Sequence, residues 1–221
     1  MCDDGRAMGE IIKVDQLHPA KEVLALAANV ARNRGVLVMP TDSVYGIGCA
    51  AYAQTPALPR IFRIKNRPLN QTLPFLIADL DDLYNLGHDL PHWASSLAEV
   101  FWPGALTLVV RASDNISSEY LRPGAFSTIA LRLPDSELVR ELARLIGVPL
   151  ATTSANAHGA PSATSAASLE PSLIEAADLT MDAGSAPIAV ASTIVDCTEQ
   201  RPRILREGAI AKEQVFRVAG D

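Results

Sequence analysis

Cysteine, long apolar runs and basic charge are all scarce in this 221-residue chain, and each shortage excludes a class of protein. The three cysteines (Cys2, Cys49 and Cys197) are widely spaced and odd in number, which argues against a disulfide framework and against a CxxC metal site. No apolar run approaches the roughly 20 residues of a bilayer span, and the N-terminus lacks the layout of a signal peptide. We therefore expect a cytoplasmic protein without a membrane partner, in which Cys49 and Cys197 are small buried residues.

The common signatures of nucleotide-binding folds are also missing. There is no GxxxxGK[ST] phosphate loop and no GxGxxG after a predicted strand. The formal net charge is −6, so the surface as a whole should repel nucleic acid. Any anion site must therefore be a local basic cavity.

Hydrophobic residues make up 48% of the chain, and their periodicity alternates between strand-like and helix-like segments. This pattern predicts an α/β fold, with a single-domain twisted mixed sheet flanked by helices around a basic cavity. A Ser/Ala/Pro-rich stretch at 157–171 resembles a linker, but too few residues follow it to build a second core. The predicted strands are 11–14, 36–39, 73–77, 106–111, 128–133, 148–152, 179–181, 192–195 and 203–205, and the predicted helices are 18–34, 56–64, 80–86, 91–101 and 137–146.

Two further segments are predicted to be loops. Residues 41–48 contain too many small and polar residues for a core strand, and their glycines permit close backbone approach, so we interpret them as a binding loop. Residues 112–126 are polar and contain Pro and Gly, which predicts a long loop that closes over a ligand.

Two short motifs almost ninety residues apart carry the candidate chemistry, Lys65-Asn66-Arg67-Pro68 and Ser154-Ala155-Asn156. Together they supply two cations, a hydroxyl and an amide, the groups needed to hold a triphosphate and to stabilise charge during phosphoryl exchange. This combination predicts an enzyme.

Alternation of side chains along strands adds further polar groups to the same region. Thr107 shares a strand face with Arg111, and Arg132 shares one with small residues, which predicts a cavity with a cation in it. The same alternation places Thr152 on one side with Ser154 and Asn156. If these strand ends lie side by side, Lys65 and the four arginines converge on one concavity: Arg67, Arg111, Arg132 and Arg206.

Each motif also has a purely structural explanation. Lys65 and Arg67 at a helix end can be solvated side chains that interact favourably with the helix dipole. Ser154 and Asn156 can be turn or cap residues. Arginine within an apolar strand is harder to explain in this way, because a buried charge requires a partner.

Other constellations are weaker. His88 and His92 stand four residues apart and could ligate a metal, but Pro91 lies between them and no third ligand is evident, so we expect a structural or surface role. Ser154 lacks the sequence context of an activated nucleophile. We therefore expect neither a protein-ligated metal nor covalent catalysis.

The conjunction of motifs resembles the YrdC-like family over residues 10–212, in order and spacing. The matching segments are Pro40-Thr41-Asp42-Ser43-Val44-Tyr45-Gly46-Ile47-Gly48, Lys65-Asn66-Arg67-Pro68, Pro103-Gly104-Ala105-Leu106-Thr107, Leu131-Arg132-Leu133-Pro134, Ser154-Ala155-Asn156, Gly159-Ala160-Pro161-Ser162, Ser192-Thr193-Ile194-Val195-Asp196 and Ile204-Leu205-Arg206-Glu207-Gly208.

The resemblance implies an L-threonylcarbamoyladenylate synthase, a nucleotidyltransferase in its single-domain form. Such an enzyme converts L-threonine, bicarbonate and ATP to threonylcarbamoyl-AMP and pyrophosphate, with Mg²⁺ on the triphosphate. A tRNA-threonylcarbamoyl transferase system then uses the product, and the resemblance leaves direct contact with tRNA open. In this reaction Lys65 and Arg67 are expected to stabilise the charge that builds on the phosphorus oxygens.

The resemblance also assigns ligands to residues of this chain. ATP contacts are expected at Lys65, Arg67, Gln71, Thr107, Ser154, Asn156, Ser162 and Arg206. Threonine contacts are expected at Thr41, Arg111, Arg132, Thr152 and Ser192, with Arg132 supporting the cavity. Three positions depart from the family pattern: Gln71 stands where many relatives carry Asn, Ser43 where Thr is common, and Leu76 where many carry a threonine-contacting His.

Three other functions stay open on the sequence. An RNA-binding module could use a basic cavity of the same fold, although the acidic net charge weighs against it. A paralogue could act on a different amino acid, because Leu76 cannot hydrogen-bond. A carbamoyl-handling domain of the hydrogenase-maturation type would bring zinc-binding CxxC repeats, which are missing here.

Overall fold

The computed structural model describes residues 9–66, 71–122, 124, 127–157 and 159–220. Within these residues, no helix has the length and apolar character needed to cross a bilayer. The helices are α1 (Lys21–Arg32), α2 (Ala57–Ile64), α3 (Asp82–Leu86), α4 (His92–Phe101), α5 (Glu137–Ile146), α6 (Pro171–Ala176) and α7 (Lys212–Ala219). The strands are β1 (Glu10–Lys13), β2 (Leu37–Met39), β3 (Gly46–Ala50), β4 (Phe75–Leu76), β5 (Gly87–His88), β6 (Leu106–Ala112), β7 (Thr128–Arg132), β8 (Leu150–Ser154), β9 (Leu179–Asp182), β10 (Thr193–Asp196) and β11 (Arg203–Arg206).

The strands form one mixed sheet. Their order is β1-β9-β2-β3-β8-β4-β7-β6-β10-β11, and β5 pairs with β6. β1 and β2 both run parallel to β9, β4 runs parallel to β7, and β6 runs parallel to β10. The other neighbours are antiparallel, so the predicted α/β fold with a mixed sheet flanked by helices is confirmed.

Alternation along the strands divides the apolar core between the two faces of the sheet. One face holds Val38 and Phe75 and is covered by α2, α4, α6 and α7. The opposite face holds Leu37 and Leu76 and is covered by α1 and α5. α1 supplies only alanines as its fully buried residues, which lets it lie close to α5 and to the sheet. We call the face under α1 and α5 the second face.

The prediction that residues 41–48 contain no core strand was wrong for their second half. Gly46–Ala50 is a central strand, buried along its whole length between β2 and β8. Its small residues are there for space: a Cβ at Gly46 would lie 2.6 Å from Thr152 Cγ2, and one at Gly48 would lie 2.6 Å from Thr152 Oγ1. The glycines therefore make room for a hydroxyl side chain on the neighbouring strand.

Other boundaries also differ from the prediction. The strand expected at 148–152 runs from Leu150 to Ser154, and α6 and α7 were not predicted at all. α7 contacts α4, so the packed structure continues past residue 212. Within 112–126, Tyr120 is buried, its hydroxyl donates to the carbonyl of Tyr52 at 2.9 Å, and its ring makes an edge contact with Phe75. The middle of this predicted lid is thus anchored to the core.

Candidate functional site

A cavity of about 210 Å³ opens on the second face of the sheet, beside the part that α1 and α5 cover. Ligand pockets for larger molecules usually hold about 300–1,000 Å³, so this volume suits a small ligand or one part of a larger one. Its charged lining residues in the described part of the chain are two arginines, and no carboxylate lines it. The lining residues are Thr41, Ser43, Val44, Tyr45, Gly46, Pro74, Leu76, Thr107, Arg132, Thr152, Thr153, Ser154, Ser162, Ala191, Ser192, Ile194 and Arg206.

Lys65 joins the two motifs that are distant in sequence. It follows the last turn of α2, and Asn66 takes a left-handed conformation (φ 49°) that ends the helix. The Lys65 side chain is buried, and its Nζ donates to the carbonyls of Ser154 and, at 2.6 Å, of Asn156. A longer contact of 3.4 Å joins Nζ to Asn156 Oδ1. The predicted convergence of Lys65 with Ser154 and Asn156 is present, whereas Arg67 lies outside the described residues.

The loop after β8 is held by hydrogen bonds on both sides. Asn156 Nδ2 donates to the carbonyls of Ala157 at 2.9 Å and Ala160 at 2.6 Å. The Tyr45 backbone accepts from Ala155 N at 2.8 Å and donates to Ala163 O at 2.9 Å. These bonds bring Ser154 and Ser162 to the cavity wall.

Arg132 ends β7 and is buried among polar groups of three segments. Its Nε donates to Gly104 O at 3.0 Å, its Nη1 to Ser43 Oγ at 2.6 Å and its Nη2 to Asp42 Oδ1 at 2.6 Å. Burial lowers the pKa of Arg132, and the opposing carboxylate of Asp42 acts to keep the guanidinium charged. The arginine predicted from strand alternation therefore lies in the cavity wall, already paired.

Arg206 ends β11 and reaches the cavity from the opposite edge. Its Nε and Nη2 donate to Ser192 O at 3.1 and 2.8 Å, and Nη2 also contacts Ser192 Oγ at 3.2 Å. Ser192 Oγ in turn lies 2.9 Å from Thr107 Oγ1. Burial and the charge of Arg132 lower the pKa of Arg206, and no carboxylate of the described residues pairs with it. The wall here is a row of hydroxyls that ends in a cation.

The remaining wall is formed by the start of the 41–45 segment and by β4 and β8. Thr41 Oγ1 donates to Val44 O at 2.7 Å and lies 3.1 Å from Ser43 Oγ, which ties this turn together. Thr152 Oγ1 donates to Leu150 O at 3.1 Å. Pro74 and Leu76 supply the apolar part of the wall, so Leu76 does lie where a small ligand would contact it.

Four predicted ligand residues in the described part of the chain are not among the lining residues: Lys65 and Asn156, which meet beside the cavity, and Arg111 and Gln71. Arg111 lies on the same face of β6 as Thr107 but further along the strand, where its Nη2 donates to Thr198 O at 3.2 Å and its Nη1 lies 3.5 Å from Asp89. Gln71 is half-buried and is not among the lining residues. Their assignments to threonine and ATP remain predictions.

Other side chains with chemical potential lie away from this cavity. Cys49 and Cys197 are buried as predicted, and burial raises the pKa of the Cys49 thiol to about 12. His88 is on β5 and His92 begins α4, so they do not share a helix. In the described ranges, no three His, Cys, Asp or Glu side chains are grouped closely enough to hold a metal ion.

Sequence reasoning missed one polar group of the site. Asp42 belongs to the 40–48 motif, from which no role for it was predicted, although it is the ion-pair partner of Arg132. The available signal was its position between two hydroxyl residues after a buried strand. The partner on β7 could not be identified from that signal, because it is ninety residues away in the chain.

Known proteins resemble this chain in sequence and in fold. The sequence model of the Sua5/YciO/YrdC family, described as telomere recombination, matches residues 29–208. Threonylcarbamoyl-AMP synthase of Bacillus subtilis is 37% identical over 206 residues, which cover 93% of this chain and 59% of the relative. Threonylcarbamoyl-AMP synthase of Pyrococcus abyssi is 35% identical over 198 residues, which cover 90% of this chain and 57% of the relative.

A solved structure agrees with these sequence relatives. The crystal structure of P. abyssi Sua5 complexed with L-threonine matches with a TM-score of 0.85 at 34% identity, over 96% of this chain and 61% of that one. The chain therefore spans about three fifths of the length of these relatives. The family resemblance predicted from the motifs is confirmed.

Proposed function

Because this chain belongs to the Sua5/YciO/YrdC family, we propose that it is a threonylcarbamoyl-AMP synthase, a nucleotidyltransferase that uses L-threonine, bicarbonate and ATP. One observation carries the proposal: Lys65 and the Ser154–Asn156 turn meet beside a cavity whose charged lining residues are Arg132 and Arg206. Arg206 and Lys65 provide positive charge on two sides of this region, which is suited to the triphosphate of ATP beside a carboxylate-bearing substrate. The complex of P. abyssi Sua5 with L-threonine supports the choice of amino acid.

In this proposal the cavity holds the amino acid, and ATP extends from it along the Lys65 side. Thr41, Thr152 and Ser192 would contact threonine, while Arg132 shapes the wall around it. Ser154, Asn156, Thr107, Ser162 and Arg206 would contact ATP, together with Lys65 and Arg67. The volume of about 210 Å³ favours this division, because it is below the usual range of about 300–1,000 Å³ for pockets that hold larger ligands.

The proposed chemistry requires positioning and charge stabilisation. The threonine amine first takes up the carbon of bicarbonate, with loss of water, to give a carbamate. A carbamate oxygen then attacks the α-phosphorus of ATP; the new O–P bond forms as the bond to the β-phosphate oxygen breaks, and pyrophosphate leaves with that electron pair. Holding the two anions in line supplies most of the rate enhancement expected of such a site.

Lys65 is the residue to which we assign the largest catalytic effect. Its contact of 3.4 Å with Asn156 Oδ1 is one that a phosphate oxygen would replace at small cost, since the shorter bonds to the carbonyls of Ser154 and Asn156 keep Nζ in place. The ammonium would then act on charge that develops at the phosphorus. The same contact exchange would leave Asn156 Oδ1 available to the ligand.

The magnesium ion of the reaction would enter on the triphosphate, as part of the substrate. Its neutralising effect on the β- and γ-phosphates complements the cationic cavity wall. The product would pass to a tRNA-threonylcarbamoyl transferase system, with tRNA as the final acceptor.

The test is pyrophosphate release from ATP in the presence of bicarbonate and magnesium, with L-threonine, L-serine or no amino acid added. We expect release that depends on threonine. Release with equal rates for threonine and serine would point to a paralogue with a different amino acid substrate, and Leu76 would be the first position to examine. Absence of release with any amino acid would contradict the proposal.

A further inference from the structure

Asp42 has no assigned role, yet it stands directly behind the cavity wall. Its neighbours Thr41 and Ser43 both line the cavity, while its own side chain is only 4% exposed. Oδ1 accepts from Arg132 Nη2 at 2.6 Å, and the backbone carbonyl accepts from Ile188 N at 2.9 Å. Oδ2 is buried, and no hydrogen-bond partner is found for it within the described residues. The carboxylate is therefore committed to a single charged partner.

The two lining arginines differ in their electrostatic balance. Arg132 is in contact with a carboxylate, whereas Arg206 is bonded to the oxygens of Ser192. Both guanidinium groups line the same cavity, and burial together with the charge of Arg132 lowers the pKa of Arg206. Without Asp42 the cavity wall would carry two uncompensated positive charges in place of one.

We infer that Asp42 is a positioning residue with two effects: it fixes the Arg132 guanidinium in the wall, and it cancels that charge so that the affinity of the cavity for polyanions stays limited. The binding of an anionic product such as pyrophosphate is then dominated by Arg206 and the Lys65 region. The inference rests on the proposed function for the choice of anion, but the charge balance that it describes is a property of the cavity itself.

The opposing hypothesis is that Arg132 is a direct ligand of the anion and that Asp42 is needed only for folding. The two hypotheses differ in one combination of variants. If Asp42 acts through its charge, replacing both Asp42 and Arg132 by neutral residues leaves the net charge of the cavity wall unchanged, because the ion pair is neutral. If Arg132 binds the anion directly, the affinity lost on replacing Arg132 is not restored by also replacing Asp42.

The experiment is a double-mutant cycle read by calorimetric titration with inorganic pyrophosphate in the absence of ATP and magnesium. The variants are Asp42→Asn, Arg132→Gln and the combination of the two. Asp42→Asn keeps an oxygen at hydrogen-bond distance from Arg132 and removes the negative charge, so we expect pyrophosphate to bind about tenfold tighter. Arg132→Gln leaves Asp42 unbalanced, and we expect binding about tenfold weaker. The double variant should lie within about threefold of the unaltered protein.

Two results would overturn the inference. One is a double variant that binds pyrophosphate as weakly as Arg132→Gln alone. The other is a folded Asp42→Asn protein whose affinity equals or falls below that of the unaltered chain. If either single variant does not fold, because it leaves a buried charge without its partner, the comparison of the neutral double variant with the unaltered protein still decides, since binding about tenfold weaker in the double variant would contradict the inference.

Asp42→Glu is the matched control, since it keeps the charge while changing the packing. We expect its pyrophosphate affinity to stay within about threefold even if its melting temperature falls. A large change in affinity would mean that shape rather than charge is responsible. The titration does not involve turnover, so it tests the inference separately from the proposed function. If the variants show this order of affinities but the protein does not release pyrophosphate in a threonine-dependent way, the inference is supported and the proposed function is contradicted.

Discussion

The second face of the sheet contains two regions that are built on some of the same strands but differ in the polarity of their side chains. Under α1 and α5 the face carries Leu37, Met39 and Leu179, which pack against Leu138 and Leu142 of α5. Beside it, the same face carries the hydroxyl and guanidinium groups of the cavity. β4 and β8 cross from one region to the other within a few residues.

The two regions differ in the interactions that stabilise their buried side chains. The packed region needs only close contact between apolar side chains. The cavity region buries Thr107, Arg132 and Ser192, and each of these polar groups has a hydrogen-bond partner on another segment. A stable fold can thus leave one part of a sheet face uncovered by helices, provided that its polar groups are bound to one another.

The largest effect is expected for a substitution in the packed region. Leu142 on α5 is fully buried, so Leu142→Ala should lower the free energy of unfolding by about 2–5 kcal/mol, measured by urea denaturation. Leu145 on the same helix is 45% exposed, and Leu145→Ala should change that free energy by less than about 0.5 kcal/mol. Equal effects of the two substitutions would contradict the division of the face.

The next effect concerns the cavity region and appears in catalysis. Lys65→Ala should lower the turnover number by about 10²-fold or more, as expected for loss of one transition-state charge contact, with the fold retained. Arg67→Ala should have a comparable effect. Arg63, an exposed cation near the end of α2, is the control, and its replacement by Ala should leave turnover within about twofold. Near-normal turnover of the Lys65 variant would remove this residue from the mechanism.

A third prediction concerns the close contact between Gly46 on β3 and Thr152 on β8. Gly46→Ala would place a Cβ 2.6 Å from Thr152 Cγ2, and such crowding should cost about 1–3 kcal/mol of unfolding free energy. Thr152→Ser removes the methyl group that is in the way. The double variant should therefore recover most of the loss seen in Gly46→Ala, and failure to recover it would mean that the glycine is required for another reason.

The smallest effect is expected at the two buried cysteines. With a pKa of about 12, the Cys49 thiol is a thiolate in only about 10⁻⁴ of the molecules at pH 8. Peptide mapping after treatment of the native protein with iodoacetamide should find Cys49 and Cys197 unmodified, and activity unchanged. Rapid modification of either residue in the native protein would show that this part of the core opens.

Local signals predicted helices α1 to α5 and most of the strands. α4 and α5 begin and end close to their predicted limits, because apolar spacing, Pro91 and Gly147 act within a few residues of the helix ends. α6 and α7 were missed. They are short, and α7 owes its position to contact with α4 rather than to a strong pattern of its own.

Much of the site was predictable because strand alternation does not depend on the rest of the fold. Thr107, Arg132 and Thr152 were assigned to a polar face from residue spacing alone, and all three line the cavity. Arg111 was assigned in the same way and lies on the same face as Thr107, but strand alternation says nothing about distance along a strand. The Gly46–Ala50 strand was missed because its glycines are selected by Thr152 on the adjacent strand, and that neighbour is invisible in the local sequence.

The sequence by itself determined helices α1 to α5, most of the strands, the alternation of apolar and polar faces along them, and the family, since these follow from local spacing and from motifs in order. Only the tertiary structure decided which distant groups meet: Lys65 with the Ser154–Asn156 turn, Asp42 with Arg132, and Arg206 with Ser192. The physical reason is that these contacts join strand and helix ends far apart in the chain, and their pairing depends on the order of strands in the sheet.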